Sequence, residues 1–222
     1  MKKIVVANFK GGQGKTFTAC VLAELLAVEG RRVAVVDMDG QQNAVDHLRG
    51  VDGERVFDLI EPVPSPGIAP DFKALEAGGC EVAICDTPPG AIMLPAVRDV
   101  LASAELIVVP FLVYRHGLLG VERILSTLPE GVPVLPVCSC AANLTKDKAE
   151  LLEAVKAGAG VGDGDRLPVA FLPWYDRVDA NLSARRAFWY GLREHEYSPF
   201  EALRVAVVKS LYGGHEHEQA EQ

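Results

Sequence analysis

The residues best suited to chemistry lie in one short segment, Lys-Gly-Gly-Gln-Gly-Lys-Thr at positions 10–16, directly after the apolar run Ile4–Ala7. An apolar strand, a glycine-rich loop and a helix start in this order are typical of a phosphate-binding loop. Glycines allow successive backbone N–H groups to turn towards phosphate oxygens, and Lys15 adds a positive charge. The Thr16 hydroxyl is a suitable ligand for Mg²⁺. The segment therefore predicts binding of a nucleotide phosphate chain together with Mg²⁺.

A second lysine at the start of this loop departs from the strict form of the motif. That form has glycine five residues before Gly14, whereas this chain has Phe9 there, followed by Lys10. One lysine is sufficient to hold a nucleotide in its own subunit. Lys10 is therefore either a solvated loop side chain, as most lysines are, or a cation with a separate task.

Three aspartates follow or end predicted strands. Asp37 and Asp39 come after the apolar run 33–36, and Asp86 ends the apolar run 81–86. Phosphoryl transfer needs carboxylates to hold Mg²⁺, usually through water, and to position the attacking water. A single aspartate after a strand is most often a turn or helix-cap residue. Three of them at the same end of a sheet as a phosphate loop favour a catalytic site.

The elements that must position these groups alternate along the chain. Apolar runs predict strands at residues 3–8, 33–36, 81–86, 105–109, 132–137 and 167–172, and helical patterns lie near 16–29, 71–77, 94–103, 116–127, 145–157 and 199–212. The strand runs are almost continuously apolar, as expected when helices cover both faces of a parallel sheet. The predicted fold class is therefore α/β, a doubly wound, mostly parallel sheet with helices on both faces and ligands at the carboxyl ends of its strands.

The spacing of these elements predicts the domain organisation. A proline-rich loop is predicted at residues 61–70 and a glycine-rich turn at 158–165, and neither flanks a segment large enough for a second domain. We therefore predict one domain over residues 1–212 and a disordered acidic tail over 213–222.

Composition argues against several classes of protein. The 222 residues are 49% hydrophobic and 23% charged, which is typical of a globular domain and not of a disordered or fibrous chain. No apolar run approaches the roughly 20 residues of a membrane-spanning helix, and the chain starts in a strand without the apolar segment of a signal peptide. The five cysteines are an odd number and fit reduced thiols in the cytoplasm. The spacing of Cys138 and Cys140 is not that of a redox or zinc motif.

Three motifs in the same order resemble the ParA/MinD family of ATPases. The segment 10–16 resembles its deviant Walker A motif, with Lys10 as the leading lysine. Residues 37–44 (Asp-Met-Asp-Gly-Gln-Gln-Asn-Ala) resemble its switch I, with Gly40 in place of the usual proline, and residues 82–90 resemble its Walker B strand and switch II. The likeness continues through residues 105–110 and more loosely at 172–173. It implies a P-loop NTPase fold, ATP and Mg²⁺ as cofactors, and a place among the short ParA-type partition ATPases.

The resemblance also implies roles for individual residues. The catalytic residues that it implies are Lys10, Lys15 and Asp39, of which Asp39 positions the attacking water. The implied Mg²⁺ residues are Thr16, Asp37 and Asp86. The implied nucleotide-binding residues are Gly11, Gly12, Gln13, Gly14, Lys15, Thr16, Phe17, Gly90, Asn143 and Pro173. In the family the leading lysine reaches the nucleotide of a facing subunit, so Lys10 implies a homodimer that forms with ATP. Asn143 is equally suited to a turn or a helix start.

Charged and aromatic residues towards the carboxyl end bear on the choice of partner. The net charge of −8 argues against a general nucleic-acid binder. Residues 177–193 nevertheless carry a basic patch interleaved with aromatic residues, and its arginines are Arg177, Arg185, Arg186 and Arg193. This patch is either a solvated helix face or a contact for nonspecific DNA, and a dimer would double it. The last ten residues are acidic and not amphipathic, so we expect no membrane attachment.

By this resemblance the chain is a cytoplasmic ATPase, an ATP-dependent dimerisation switch that segregates or positions plasmid or chromosomal DNA or a similar cargo. A ParB-like activator is the expected partner. Biosynthetic enzymes that activate a carboxylate with ATP, of the dethiobiotin synthetase and cobyrinic acid amidase type, share the scaffold and are the alternative. A third class, an iron–sulfur carrier related to nitrogenase iron protein, has little support from Cys138 and Cys140. Lys10 and the Asp-x-Asp-x-Gln segment favour the switch.

Overall fold

The computed structural model describes residues 1–49, 59–112, 121, 124–141, 170–174, 178, 180–181, 184 and 186–212. Within these residues seven strands form one sheet, in the order β3-β2-β4-β1-β5-β6-β7, and every neighbouring pair is parallel. The strands are β1 (Lys2–Val6), β2 (Val33–Asp37), β3 (Ile60–Pro64), β4 (Val82–Asp86), β5 (Leu106–Leu112), β6 (Val134–Ala141) and β7 (Ala170–Trp174). The predicted doubly wound α/β class is confirmed.

Five helices whose bounds lie within the described residues accompany the sheet. They are α1 (Lys15–Val28), α2 (Asn43–Leu48), α3 (Phe72–Ala77), α4 (Pro95–Ala102) and α5 (Glu194–Tyr212), and a short 3₁₀ turn covers Ala91–Met93. Among the described helices none combines the length and the apolar character needed to cross a bilayer.

Two apolar clusters lie on opposite faces of the sheet, which is why its strands are mostly runs of apolar residues. In β1, Ile4 and Val6 pack on one face against α1 and α5, whereas Val5 packs on the other face with residues of α4. Successive side chains of a strand point to opposite faces, so a sheet covered on both faces needs apolar residues throughout. This double burial holds the strand ends, and therefore the site, in fixed positions.

The predicted loop over residues 61–70 is wrong at its start, because Ile60–Pro64 forms β3. Strand β3 lies at the edge of the sheet and pairs with β2 alone. The Ser65 N–H donates to the Asp37 carbonyl (2.8 Å), so by alternation the missing N–H groups of Pro62 and Pro64 belong to the outer side. Proline is tolerated where no sheet neighbour requires a donor, and edge strands provide such positions.

Two helices also differ from the sequence expectation. The short helix α2 was not predicted. Helix α5 begins at Glu194 and not near residue 199, so Pro199 lies inside it. The Glu196 carboxylate accepts the Arg193 N–H (2.9 Å) at the helix start, as in the second half of a capping box. The predicted helix 145–157, the turn 158–165 and the tail 213–222 lie outside the described residues, and the predicted helix 116–127 is described only in part.

Candidate nucleotide-binding site

The glycine-rich loop joins the carboxyl end of β1 to the amino end of α1. Gly12 and Gly14 have φ angles of +69° and +85°, which residues with a side chain rarely adopt. The Gly14 carbonyl accepts the Thr18 N–H (2.8 Å) and so starts the helix. The loop amides therefore lie at the positive end of a 14-residue helix, where an anion is favoured.

Both lysines of the loop lie at this end of the sheet, in different environments. Lys15 is buried, and its Nζ donates to the Lys10 carbonyl oxygen (3.0 Å). Burial lowers the pKa of Lys15, although the Coulombic effects of Asp86 and Asp39 act in the opposite direction. The Lys10 side chain is exposed. One ammonium is thus held inside the loop, and the other faces solvent.

Asp86 ends β4 directly opposite the start of α1. Its Oδ2 accepts the Thr16 hydroxyl (2.7 Å), and its Oδ1 is buried without a hydrogen-bond partner among the described residues. Burial raises the pKa of Asp86 to about 7; the Thr16 hydrogen bond lowers it, and the charge of Asp37 raises it further. An orphaned carboxylate oxygen beside a threonine hydroxyl suits a cation or the water bound to a cation.

Asp37 ends the neighbouring strand β2 and is the register partner of Asp86 in the sheet. It is fully buried and accepts the backbone N–H groups of Asp39 (3.0 Å), Ala44 (2.9 Å) and Val45 (3.2 Å). Burial raises the pKa of Asp37, and these three hydrogen bonds counteract the rise. Asp37 therefore fixes the start of α2 and the position of Asp39, whatever else it binds.

A cavity of about 490 Å³ lies at the glycine-rich loop. It is lined by Gly11, Gly12, Gly14, Lys15, Thr16, Phe17, Asp39, Asn43, Pro89 and Leu112. Of these, Asn43, Pro89 and Leu112 were not predicted as site residues. Asn43 and Pro89 lie within the segments that resemble switch I and switch II, so their motifs carried a signal, whereas Leu112 had none. Asp39 is partly exposed, and its Oδ1 accepts the Gln41 N–H (3.0 Å).

The other residues that the sequence predicted for the site lie in different parts of the structure, and some lie outside the described residues. Gly90 precedes the 3₁₀ turn with a φ of +73°. The Gln13 side chain is buried against β5, where its Oε1 accepts the Leu112 N–H (3.3 Å), so only the backbone of Gln13 is suited to phosphate binding. Pro173 lies within β7. Asn143, Arg177 and Arg185 lie outside the described residues.

The two described arginines of the basic patch differ in their surroundings. The Arg186 guanidinium lies 5.6 Å from the centre of the Tyr190 ring, and Tyr190 is exposed. Arg193 is exposed but forms an ion pair with Glu196 (3.2 Å). Glu196 therefore offsets part of the positive charge that the sequence suggested for this surface.

A larger recess of about 650 Å³ lies beside α4 and is lined by residues such as Met93, Arg98 and Leu128. It has neither the glycine loop nor the aspartates at the strand ends, so the smaller cavity is the better candidate. Within the described residues no group of three or more histidine, cysteine, aspartate or glutamate side chains forms a metal cluster. A metal in this part of the chain would need water or substrate oxygens as further ligands.

The sequence and the fold both match known proteins. Residues 4–178 match the family model described as the CobQ/CobB/MinD/ParA nucleotide binding domain. The chain is 35% identical over 158 residues to the chromosome-partitioning ATPase Soj of Thermus thermophilus, a match that covers 59% of this chain and 62% of Soj. The chain thus spans less than two thirds of the length of this relative.

Two solved structures share the fold. The septum site-determining protein MinD of Pyrococcus horikoshii, complexed with Mg-ADP, has a TM-score of 0.68 at 19% identity, covering 94% of this chain and 96% of MinD. The pNOB8 ParA bound to nonspecific DNA has a TM-score of 0.65 at 13% identity, covering 96% of this chain and 99% of ParA. At such identities the likeness establishes the fold.

Proposed function

The chain belongs to the CobQ/CobB/MinD/ParA nucleotide-binding family, and on this premise we propose that it is a ParA-type ATPase, an ATP-dependent dimerisation switch that segregates or positions DNA or a similar cargo. It hydrolyses ATP to ADP and phosphate. The observation that carries the proposal is the pair of loop lysines, with Lys15 buried in the cavity wall and Lys10 exposed beside Gly11 at the same cavity.

Mg²⁺ and the phosphate chain fit the residues of this cavity together with Asp86, which is hydrogen-bonded to the lining residue Thr16. Thr16 and Asp86 would hold the cation, with Asp37 ordering its water from the neighbouring strand end. The orphaned Oδ1 of Asp86 supports this assignment, since a buried carboxylate is stabilised by a nearby cation. When bound, Mg²⁺ would neutralise part of the phosphate charge and so favour phosphoryl transfer.

The chain itself supplies binding and orientation. The Lys15 ammonium donates to the Lys10 carbonyl oxygen, which is a neutral acceptor. Phosphate oxygens, which are negatively charged, would take the place of this carbonyl and form a stronger hydrogen bond. The loop amides at the start of α1 bind the phosphates through their N–H groups. Asp39 lies at the cavity on a backbone fixed by Asp37, which supports its role as the carboxylate that positions the attacking water.

Lys10 gives the switch its dependence on a second subunit. Its exposed ammonium is free of the cavity wall, so it can meet the γ-phosphate held by a facing copy and offset charge in the transition state. ADP lacks the γ-phosphate and therefore removes the charge that Lys10 meets. Dimerisation follows the nucleotide state for this electrostatic reason.

The proposed cargo is DNA or a DNA-bound complex in the cytoplasm, and a ParB-like protein stimulates hydrolysis. The similarity to the chromosome-partitioning ATPase Soj supports a role in partition. The shared fold with pNOB8 ParA, which was solved bound to nonspecific DNA, supports nonspecific DNA as a partner. Arg186 and Arg193 are the described residues proposed to contact it. The biosynthetic alternative is not favoured, because the curated relative is a partition ATPase and because such an enzyme has no use for Lys10.

The nucleotide dependence of the dimer tests this proposal. Multi-angle light scattering should give a monomer with ADP and a dimer with ATP and Mg²⁺, and Lys10→Ala should bind ATP but not form the hydrolytically competent dimer. Lys73→Ala, which removes an exposed lysine of α3, is the matched control and should behave as the wild type. A dimer that is indifferent to nucleotide would instead support the biosynthetic-enzyme alternative.

A further inference from the structure

Asn8 lies between the last residues of β1 and the glycine-rich loop, and it is fully buried. It does not line the nucleotide cavity. A buried asparagine needs partners for its amide groups, since an unsatisfied polar group costs free energy. The partners of Asn8 therefore indicate what the residue does.

One side of the Asn8 amide continues the sheet beyond the end of β1. The backbone ladder between these strands reaches the Ala7 N–H, which donates to the Val108 carbonyl (3.0 Å). The next carbonyl on the same edge of β5 belongs to Pro110, and the Asn8 Nδ2 donates to it (2.7 Å). A side-chain donor thus takes the acceptor that a further strand residue would have used, and the backbone is released to turn into the loop.

The other side of the amide reaches into the loop. The Asn8 Oδ1 accepts the Lys10 N–H (3.1 Å), and the carbonyl of the same Lys10 accepts the Lys15 Nζ (3.0 Å). A second amide side chain ties the loop to the same strand, because Gln13 accepts the Leu112 N–H (3.3 Å). The loop is therefore attached to the interior strand β5, which is a rigid element of the sheet.

We infer that Asn8 is a positioning residue that fixes the Lys10 peptide group to β5 and so sets the direction in which the Lys10 side chain leaves the loop. An exposed lysine has many rotamers. Anchoring its backbone reduces the number of conformations that the Lys10 side chain loses when the dimer forms, and so reduces the entropy cost of that step. The inference rests on the proposed function, since it assigns Asn8 to the step that Lys10 performs.

The test is a double-mutant cycle on ATP turnover at saturating ATP and Mg²⁺, using wild type, Asn8→Ala, Lys10→Ala and the double variant. Asn8→Ala should lower turnover about 10-fold, the effect expected for a lost buried hydrogen bond that acts at the transition state. Its affinity for ATP should change less than about threefold, because the amides that bind phosphate lie beyond Lys10. In the Lys10→Ala background, removal of Asn8 should have no further effect on turnover.

Two further variants separate positioning from stability. Asn181→Ala removes another buried asparagine, whose Nδ2 donates to the Phe188 (3.0 Å) and Tyr190 (2.9 Å) carbonyls far along the chain. It should lower the melting temperature as Asn8→Ala does and keep wild-type turnover. Asn8→Asp keeps the shape and the acceptor for Lys10, and its ionised form lacks the donor to Pro110. Assayed at an alkaline pH, where the carboxyl is ionised, it should therefore also turn over slowly, and it preserves the test if Asn8→Ala does not fold.

The outcomes are distinguishable. Additive effects of Asn8→Ala and Lys10→Ala, or wild-type turnover by Asn8→Asp, would overturn the role of Asn8. A wild type without ATP turnover, or a Lys10→Ala variant with unchanged turnover, would overturn the proposed function and leave the hydrogen bonds of Asn8 as a structural feature of the loop.

Discussion

Asp86→Asn should stabilise the protein in the absence of nucleotide and Mg²⁺, and it should do so only above acidic pH. The folded protein holds the Asp86 proton up to about pH 7, whereas the unfolded chain releases it near the ordinary value of 3.8. Between these values the folded state binds more protons than the unfolded state, so the wild type loses stability as the pH rises. Asparagine carries no titrating proton, and its variant should not share this loss.

The size of the effect follows from the same shift. A rise of about three pKa units corresponds to about 4 kcal/mol at pH values above the folded pKa. Asparagine retains an oxygen for the Thr16 hydroxyl but changes the packing slightly, so we expect a gain of about 2–4 kcal/mol at pH 8. For a domain of this length that gain raises the melting temperature by about 5–15 °C.

Thermal unfolding in EDTA, measured from pH 5 to pH 8.5, tests this reasoning. The difference between Asp86→Asn and wild type should be small at pH 5 and grow with pH. Addition of Mg²⁺ with a nucleotide should then stabilise the wild type more than the variant, because only the wild type offers the Asp86 carboxylate to the cation. Asp99→Asn, at an exposed aspartate of α4, is the control. Parallel pH profiles for Asp86→Asn and wild type would refute the conclusion that burial raises the pKa of Asp86.

Three other predictions address the site, the surface and the core. Lys15→Ala should abolish ATP binding in an equilibrium titration, whereas Asp39→Ala should bind ATP but hydrolyse it about 10²-fold more slowly or worse and accumulate as a dimer. Replacing Arg186 and Arg193 by alanine should weaken nonspecific DNA binding and make its salt dependence shallower, by about one unit of slope per lost phosphate contact. At pH 8 the free energy of unfolding should fall less in Glu24→Gln than in Glu24→Ala. For Glu24→Ala, calorimetry should show a loss of about 1–3 kcal/mol.

Each of these has a contrary outcome. Unchanged ATP affinity of Lys15→Ala would remove the loop assignment, and near-normal turnover by Asp39→Ala would move the catalytic role to another carboxylate. Arg32→Ala, at an exposed arginine at the amino end of β2, is the control for DNA binding. If Arg32→Ala weakens DNA binding as much as the replacement of Arg186 and Arg193, these two arginines are not a particular contact for DNA.

The Glu24 prediction depends on the environment of one fully buried carboxylate. Its Oε2 accepts the Phe188 N–H (2.7 Å), and its Oε1 lies 3.7 Å from the His47 Nε2. Burial raises the pKa of Glu24, and the nearby His47 side chain and the hydrogen bond from the Phe188 N–H lower it. The contribution of Glu24 to wild-type stability should therefore fall as the pH rises above 4.5, and the stability of Glu24→Gln should depend less steeply on pH because it lacks this contribution. Equal stability of the glutamine and alanine variants at pH 8 would contradict this account.

The sequence predicts most of the sheet because the interior strands are buried on both faces and are therefore almost continuously apolar. It misses β3, where Pro62 and Pro64 favour a loop although an edge strand tolerates both. It also places the start of α5 near residue 199, whereas the helix begins at Glu194, where the Glu196 carboxylate accepts the Arg193 N–H. Such boundaries depend on neighbours in space and on single side-chain hydrogen bonds, which periodicity does not record.

By itself, the sequence determined the glycine-rich loop and the carboxylates at the strand ends. Contiguous glycines and lysines define the local backbone and charge, and those properties need no distant partner. Only the tertiary structure decided which distant groups meet. It brought Thr16 to Asp86, 70 residues away, and Asn8 to Pro110, 102 residues away. Strand order makes these contacts, and strand order results from packing the two apolar faces of the sheet, which no short segment specifies.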